Sequence, residues 1–270
     1  MLEFRDAFLV LGGYFMRRPM VVANWKMYTR ASDAYILATT IRNMVHSIEG
    51  VEIVICPPFV WLSEISEIVK KDGKVNVGAQ NMHYEDEGPF TGEISPQMIC
   101  DIAKYVIVGH SERRFYFHEN DIQVNEKVIA ALKFGLSPII CVGEKTKSSP
   151  ISDAVNQLEE ALEHVKKGDY ENIVVAYEPI WAIGTGIAAP VEHSVRAITA
   201  LREIIGRNSP ILYGGSINGS EVDKIAGAPA IDGVLVGGAS LRASSFIEIC
   251  KKWSQAKSFK GDVNLTEEII

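Results

Sequence analysis

The chain has 270 residues, 47% of them hydrophobic, and a formal net charge of -7. That length fits one large α/β domain or two small ones, and the acidic balance excludes the basic surface that a nucleic-acid binder normally carries. A small anionic ligand stays compatible with it, because a few backbone N–H groups and one lysine hold a phosphate locally.

Residues 7–15 are apolar, but Glu3 and Asp6 against Arg5 give the wrong charge for the start of a signal peptide, and no cleavage site follows. Residues 1–15 therefore read as an N-terminal extension, residues 16–256 as one domain and residues 257–270 as a C-terminal tail. Cys56, Cys100, Cys141 and Cys250 stand apart with no CxxC pair. That usage fits a reducing compartment, the cytoplasm, better than a disulfide framework or a zinc site. No apolar run is long enough to span a bilayer, so no membrane partner is expected.

Short apolar, β-rich runs occupy residues 20–23, 52–56, 75–78, 105–108, 137–142, 173–177, 211–213 and 233–236. They recur about every 30 residues, the length of a βα unit. They are continuously apolar rather than alternating, as parallel strands buried on both faces are. Helical spacing fills segments between them, at 32–48, 124–134, 153–165, 192–205 and 245–253. The pattern predicts an α/β fold, a single closed (β/α)8 barrel with eight parallel strands. The alternative is a doubly wound open sheet, which would want GxGxxG after its first strand; here that strand ends in Asn24-Trp25-Lys26.

In a barrel, chemistry sits in the loops that follow the strands. Lys26, after the first, either meets an anion or snorkels to water. His110 follows the fourth strand just ahead of a helix, whose N-terminal partial charge disfavours imidazolium; read alone, it could equally be a capping or surface histidine. The other histidines (His46, His83, His118, His164, His193) follow no strand end and read as surface or packing residues. After the sixth strand, Glu178 is a candidate general base. The apolar segment Pro179-Ile180-Trp181-Ala182-Ile183-Gly184-Thr185-Gly186 behind it reads as a water-excluding lid, or as a plug in the barrel end. Gly214-Gly215-Ser216 and Gly237-Gly238-Ala239-Ser240 end the seventh and eighth strands, where barrels commonly bind phosphate through backbone N–H groups. The sequence has no HxH and no paired aspartates, so neither metal nor cofactor is expected. An acid, a histidine, a lysine and a phosphate cradle suit proton abstraction beside a carbonyl.

These pieces, in this order, resemble the triosephosphate isomerase family over about residues 18–253. The specific matches are Ala23-Asn24-Trp25-Lys26-Met27, Val108 to Arg114, Ala176 to Gly186, Tyr213 to Ser216 and Val236 to Ser240. A glutamate base with a neutral histidine electrophile is also the standard physical description of that enzyme, so the histidine argument is not independent of the resemblance. The resemblance implies a TIM barrel that interconverts D-glyceraldehyde 3-phosphate and dihydroxyacetone phosphate without a cofactor. It implies Glu178 as base, His110 as electrophile, and Lys26 and Asn24 beside the developing oxyanion. Gly184, Ser216, Leu235, Gly237 and Gly238 would bind substrate. Glu112 would hold Lys26, Cys141 would pack near the base, and Tyr213 and Ser216 would secure the lid. It further implies a homodimer whose long third loop, including Gln80, Asn81, Thr91, Gly92 and Glu93, forms the interface. Thr91 would then reach Asn24 and Lys26 of the partner subunit.

Three features depart from the family pattern. The turn Lys145 to Pro150 is short, Ile187-Ala188-Ala189-Pro190 replaces the usual lid hinge, and both ends are extended. The rivals are another phosphate-binding barrel acting on larger metabolites and a non-catalytic scaffold. The short Trp-containing lid argues against the first, and the presence of Lys26, His110 and Glu178 together argues against the second.

Overall fold

The computed structural model describes residues 17, 19–183, 189–217, 219 and 221–263, with side chains as far as 257. The expected lid residues Gly184, Thr185 and Gly186, the hinge residues Ile187 and Ala188, and residues 1–16 and 264–270 lie outside it. Among the described residues there are eight strands: β1 (Met20–Asn24), β2 (Glu52–Cys56), β3 (Val75–Ala79), β4 (Tyr105–Val108), β5 (Ser137–Val142), β6 (Val174–Tyr177), β7 (Ile211–Tyr213) and β8 (Gly233–Val236). All pair in parallel in chain order, and β8 closes onto β1 through Met20 opposite Gly233. The helices are α1 (Ala31–Met44), α2 (Phe59–Lys70), α3 (Pro96–Ile99), α4 (Ser111–Tyr116), α5 (Asp121–Lys133), α6 (Ser152–Ala161), α7 (Val191–Ile205), α8 (Val222–Ala226) and α9 (Ala243–Val263). None of the described helices is long and apolar enough to cross a membrane.

The strands are apolar throughout because both faces are covered. Met20 and Val22 point into the barrel with Val54, Ile107, Ile139, Val174, Leu212 and Leu235. Their neighbours Val21 and Ala23 point outward beneath the helices, among Ile41, Ile65, Val128, Ile198 and Phe246. Each such side chain contributes about 1.5–3 kcal/mol on burial. Strand boundaries match the sequence reading to within a residue. Helix ends differ more: α1 stops at Met44 rather than 48 and α6 at Ala161 rather than 165, while α9 runs past 253 to Val263. The apolar residues beyond Met44 and Ala161 are still buried, as Val45, Ile48 and Leu162 show, but in turns. Periodicity reports burial, and it cannot see where the backbone stops being helical. α2, α3 and α8 lie in segments for which the sequence pattern names no helix.

Candidate active site

Each candidate residue leaves the C-terminal end of a strand, so the closed barrel brings them to one mouth. A pocket of about 370 Å³ there is lined by Asn24, Lys26, His110, Glu178, Ser216 and Leu235, with Gly214, Gly215, Gly237, Gly238 and Arg242 along one side.

Glu178 follows β6 and is 2% exposed. Its Oε2 accepts the backbone N–H of Ser111 at 2.8 Å, and its Oε1 lies 3.1 Å from His110 Nε2. His110 caps α4: its Nδ1 accepts the Glu112 N–H at 3.2 Å. A neutral ring that accepts at Nδ1 carries its proton on Nε2, facing Glu178 and the pocket. Gly109 holds this turn at a φ of 68°, with Val124 within 3.0 Å of where a side chain would begin. Glycine is the residue that fits both demands.

Lys26 also sits at a positive φ, 52°, in a region that non-glycine residues occupy only when their surroundings force it. Its N–H donates to Asn24 Oδ1 at 3.0 Å and its carbonyl accepts from Gln80 Nε2 at 2.9 Å. Its ammonium reaches Glu112 at 2.6 Å. Lys26 is thus aimed across the mouth rather than snorkelling freely. Cys141, on β5, is fully buried. Burial first, and the nearby Glu178 charge second, push its thiol well above the ordinary range, so it packs there as an inert thiol.

The glycine pairs have roles that their motif alone did not distinguish. A side chain at Gly214 would meet Glu178 Cγ at 2.9 Å, one at Gly215 the Tyr213 hydroxyl at 2.2 Å, and one at Gly237 Lys26 Cε at 3.4 Å. Only Gly238 faces open space. Three of the four therefore make room for the side chains of the site itself.

Pro179 begins the lid segment, a tight turn of Ile180, Trp181 and Ala182 follows, and Ile183 lines the pocket. Ser216 Oγ donates to the Ala182 carbonyl at 2.9 Å, and the Tyr213 hydroxyl accepts the Ala189 N–H at 3.0 Å. Both ends of the lid also meet one residue that the sequence reading passed over. Glu144, fully buried after β5, accepts at Oε1 from Tyr177 Oη at 2.7 Å and Trp181 Nε1 at 3.0 Å, and it contacts His193 Nε2 at 2.7 Å. His193, read as packing, stands in the first turn of α7 with its ring edge-on to Trp181. The Gly143-Glu144 dipeptide at a strand end was the available signal for this cluster. Ser111, which acts through its backbone, left none.

The third loop is anchored at its base and open at its tip. Asn81 Oδ1 accepts from the buried Lys127, whose ammonium pairs with Glu119. Thr91, Gly92 and Glu93 are exposed.

The family model described as triosephosphate isomerase matches residues 19–253. The chain belongs to the triosephosphate isomerase family. Its relatives include the triosephosphate isomerase of Dehalococcoides mccartyi strain CBDB1, 44% identical over 246 residues, which cover 88% of this chain and 97% of that protein. The enzyme of Thermoanaerobacter pseudethanolicus is 44% identical over 247 residues, with 87% and 99% covered. That of Dictyoglomus thermophilum is 42% identical over 249, with 87% and 100% covered. Membership makes the chain an isomerase, and it places the strand-end residues above in a barrel whose relatives share nearly their full length with it.

Proposed function

We propose that the chain interconverts D-glyceraldehyde 3-phosphate and dihydroxyacetone phosphate through an enediolate, with Glu178 as base and His110 as electrophile. The observation that carries this is the 3.1 Å approach of His110 Nε2 to Glu178 Oε1 at the wall of a pocket sized for a small ligand. A substrate carbonyl entering beside His110 takes over the Nε2 proton that Glu178 now accepts. That exchange frees Oε1 at the moment a C–H bond lies beside it. Glu178 removes the proton from the carbon next to the carbonyl. The C–H electron pair becomes the enediolate double bond, and the charge moves to oxygen beside His110, Lys26 and Asn24. His110 passes the hydroxyl proton from one enediol oxygen to the other, and returning the carbon-bound proton to the neighbouring carbon completes the isomerisation with no change in overall oxidation state.

Ser216, Gly237, Gly238 and Gly184, the last outside the described residues, take the phosphate by backbone N–H groups, and Leu235 lines the pocket. Glu112 restrains Lys26. The chain works as a homodimer in the cytoplasm. Supporting the dimer, Met27 (95% exposed), Tyr28, Phe90 and Met98 bare large apolar side chains around the first and third loops. Thr91 then reaches Lys26 of the partner subunit. Supporting the compartment, all four cysteines are free.

The test is a coupled assay from D-glyceraldehyde 3-phosphate. Glu178→Ala is expected to lower kcat by about 10²–10⁴-fold while inorganic phosphate still binds. Lys26→Met is expected to weaken anionic-ligand binding sharply. Unchanged turnover in Glu178→Ala would remove it as the base.

A further inference from the structure

The turn that departs from the family pattern, Lys145 to Pro150, reaches the lid. It is closed on itself. The Ser149 N–H donates to the Thr146 carbonyl at 3.0 Å and to Thr146 Oγ1 at 3.1 Å. That hydroxyl lies 2.9 Å from Ser149 Oγ and 3.1 Å from Ser148 Oγ. The backbone bond across Thr146–Ser149 makes a β-turn with Lys147 at its first corner, so the backbone carrying Lys147 is fixed although the residue is exposed. Lys147 makes no ion pair among the described residues. Its Nζ stands 5.9 Å from the centroid of the Trp181 ring. The other partners of that ring are buried or half-buried: Nε1 donates to Glu144 Oε1 at 3.0 Å, and the His193 ring stands at 82° to it with centroids 5.6 Å apart. The same loop holds the lid's backbone, since the Ile180 N–H donates to the Glu144 carbonyl at 3.2 Å. The Lys147 contact belongs to the docked arrangement of the two stems, in which Ser216 and Tyr213 bond Ala182 and Ala189.

We propose that Lys147 is a positioning residue for the isomerisation: its ammonium, presented by the Thr146–Ser149 turn, braces Trp181 and with it the stem of the lid that follows Glu178. This rests on the isomerase reading above. A cation over an indole is attracted by the ring quadrupole, and at an exposed site the attraction shifts an equilibrium by about two- to fivefold. Lys147 is absent from the pocket lining, so it touches neither the base nor a ligand held there. It acts by weighting the docked position of Trp181, because apparent ligand affinity scales with the fraction of molecules in the binding-competent arrangement.

The experiment compares Lys147→Met, Lys147→Arg and Lys145→Met with wild type in the coupled assay, each checked for an unchanged melting temperature. In Lys147→Met, KM for D-glyceraldehyde 3-phosphate and the inhibition constant for inorganic phosphate are each expected to rise about two- to fivefold, with kcat within about twofold of wild type. Lys147→Arg keeps a cation that stacks on aromatic faces and recovers most of the loss. Lys145→Met makes the same charge change in the same turn and leaves both constants near wild type. A double-mutant cycle with Trp181→Leu isolates the contact: Lys147→Met is expected to cost nothing further once the ring is gone. An equal effect of Lys145→Met, no recovery in Lys147→Arg, full additivity with Trp181→Leu, or unchanged constants in Lys147→Met would each overturn the proposal. If the wild type itself turns over no triose phosphate, the isomerase reading fails instead. Calorimetric titration with inorganic phosphate still decides Lys147 in that case: an affinity lowered by Lys147→Met and not by Lys145→Met supports the brace, and an affinity indifferent to Lys147→Met removes it.

Discussion

Gly143→Ala separates positioning of the proposed base from its chemistry, since it adds one methyl group and changes no ionisable residue. A Cβ at Gly143 would stand 1.7 Å from the Glu178 carbonyl oxygen, 2.6 Å from its carbonyl carbon and 3.2 Å from its Cα. The obstacle is backbone, which cannot swing aside as a side chain does. β5 is pinned by its ladder to β6, and Gly143 by Gln157, which donates to its carbonyl at 3.1 Å and accepts its N–H at 2.9 Å. Relief therefore comes from Glu178, whose peptide must retreat by about an ångström, stretching its own 2.8 Å bond to the Val142 carbonyl. A misplacement of about 1 Å at a reacting group costs about 10²-fold in rate, or about 2.7 kcal/mol of transition-state stabilisation. The assay is kcat for triose phosphate isomerisation, read beside circular dichroism and inorganic phosphate affinity. Phosphate affinity should survive, because Gly143 touches neither glycine pair. Gly168→Ala, where nothing lies within 4 Å, is the matched control. A folded Gly143→Ala protein with wild-type kcat would refute the claim that this contact sets the position of the base.

Gly233→Ala is expected to lower stability rather than kcat. Its Cβ would meet the Met20 carbonyl oxygen at 2.0 Å, at the seam where β8 closes on β1, and a loss above about 3 kcal/mol in denaturant titration follows from a clash that only strand separation relieves; a variant with an unchanged midpoint would contradict the seam geometry. His193→Leu removes the contact between Glu144 and the far stem of the lid. It is expected to lower kcat several-fold, with His193→Gln, which retains an N–H near the same place, recovering most of it, and equal activities in the two variants would relegate His193 to packing. At alkaline pH, burial pushes the Tyr213 phenol up to about 12 and, with Glu144 beside it, Tyr177 higher still. An unfolded tyrosine titrates near 10, so this contribution to stability is complete below about pH 10 and is lost as pH rises from there toward 12. Spectrophotometric titration should find Tyr177 and Tyr213 lagging until the fold is lost; if both ionise before unfolding, the buried environment is wrong.

Strand positions were legible because parallel barrel strands are buried on both sides, and buried runs of four to six residues announce themselves. Candidate site residues were legible because a barrel puts chemistry at strand ends, so finding the strands also found Lys26, His110 and Glu178. What stayed hidden acts through space across sequence gaps. Glu144 and His193 lie 49 residues apart and meet only because β5 and the start of α7 flank the lid. The N–H of Ser111 carries no side-chain signature. The glycine pairs were visible as close-approach positions, yet the sequence could not tell that Glu178, Tyr213 and Lys26 occupy the room they leave.

The two rims of the barrel show how one kind of residue serves opposite ends. At the N-terminal rim, Glu52 accepts from Asn76 at 2.8 Å, Lys104 at 2.9 Å and Tyr105 at 2.6 Å. Asp232 accepts the Ile211 N–H at 2.8 Å, Arg17 at 2.6 Å and the Arg202 guanidinium. These donors come from neighbouring elements of the fold, so each carboxylate ties adjacent strands and their flanking residues together. Glu178, at the other rim, is at least as buried, but it receives one fixed donor, the Ser111 N–H, and one from a histidine that faces an open pocket. A ligand oxygen in the pocket can replace Glu178 at that second donor, whereas Glu52 and Asp232 stand outside that pocket. Burial is common to all three carboxylates, and the exchangeable donor is what suits Glu178 to its proposed role as base.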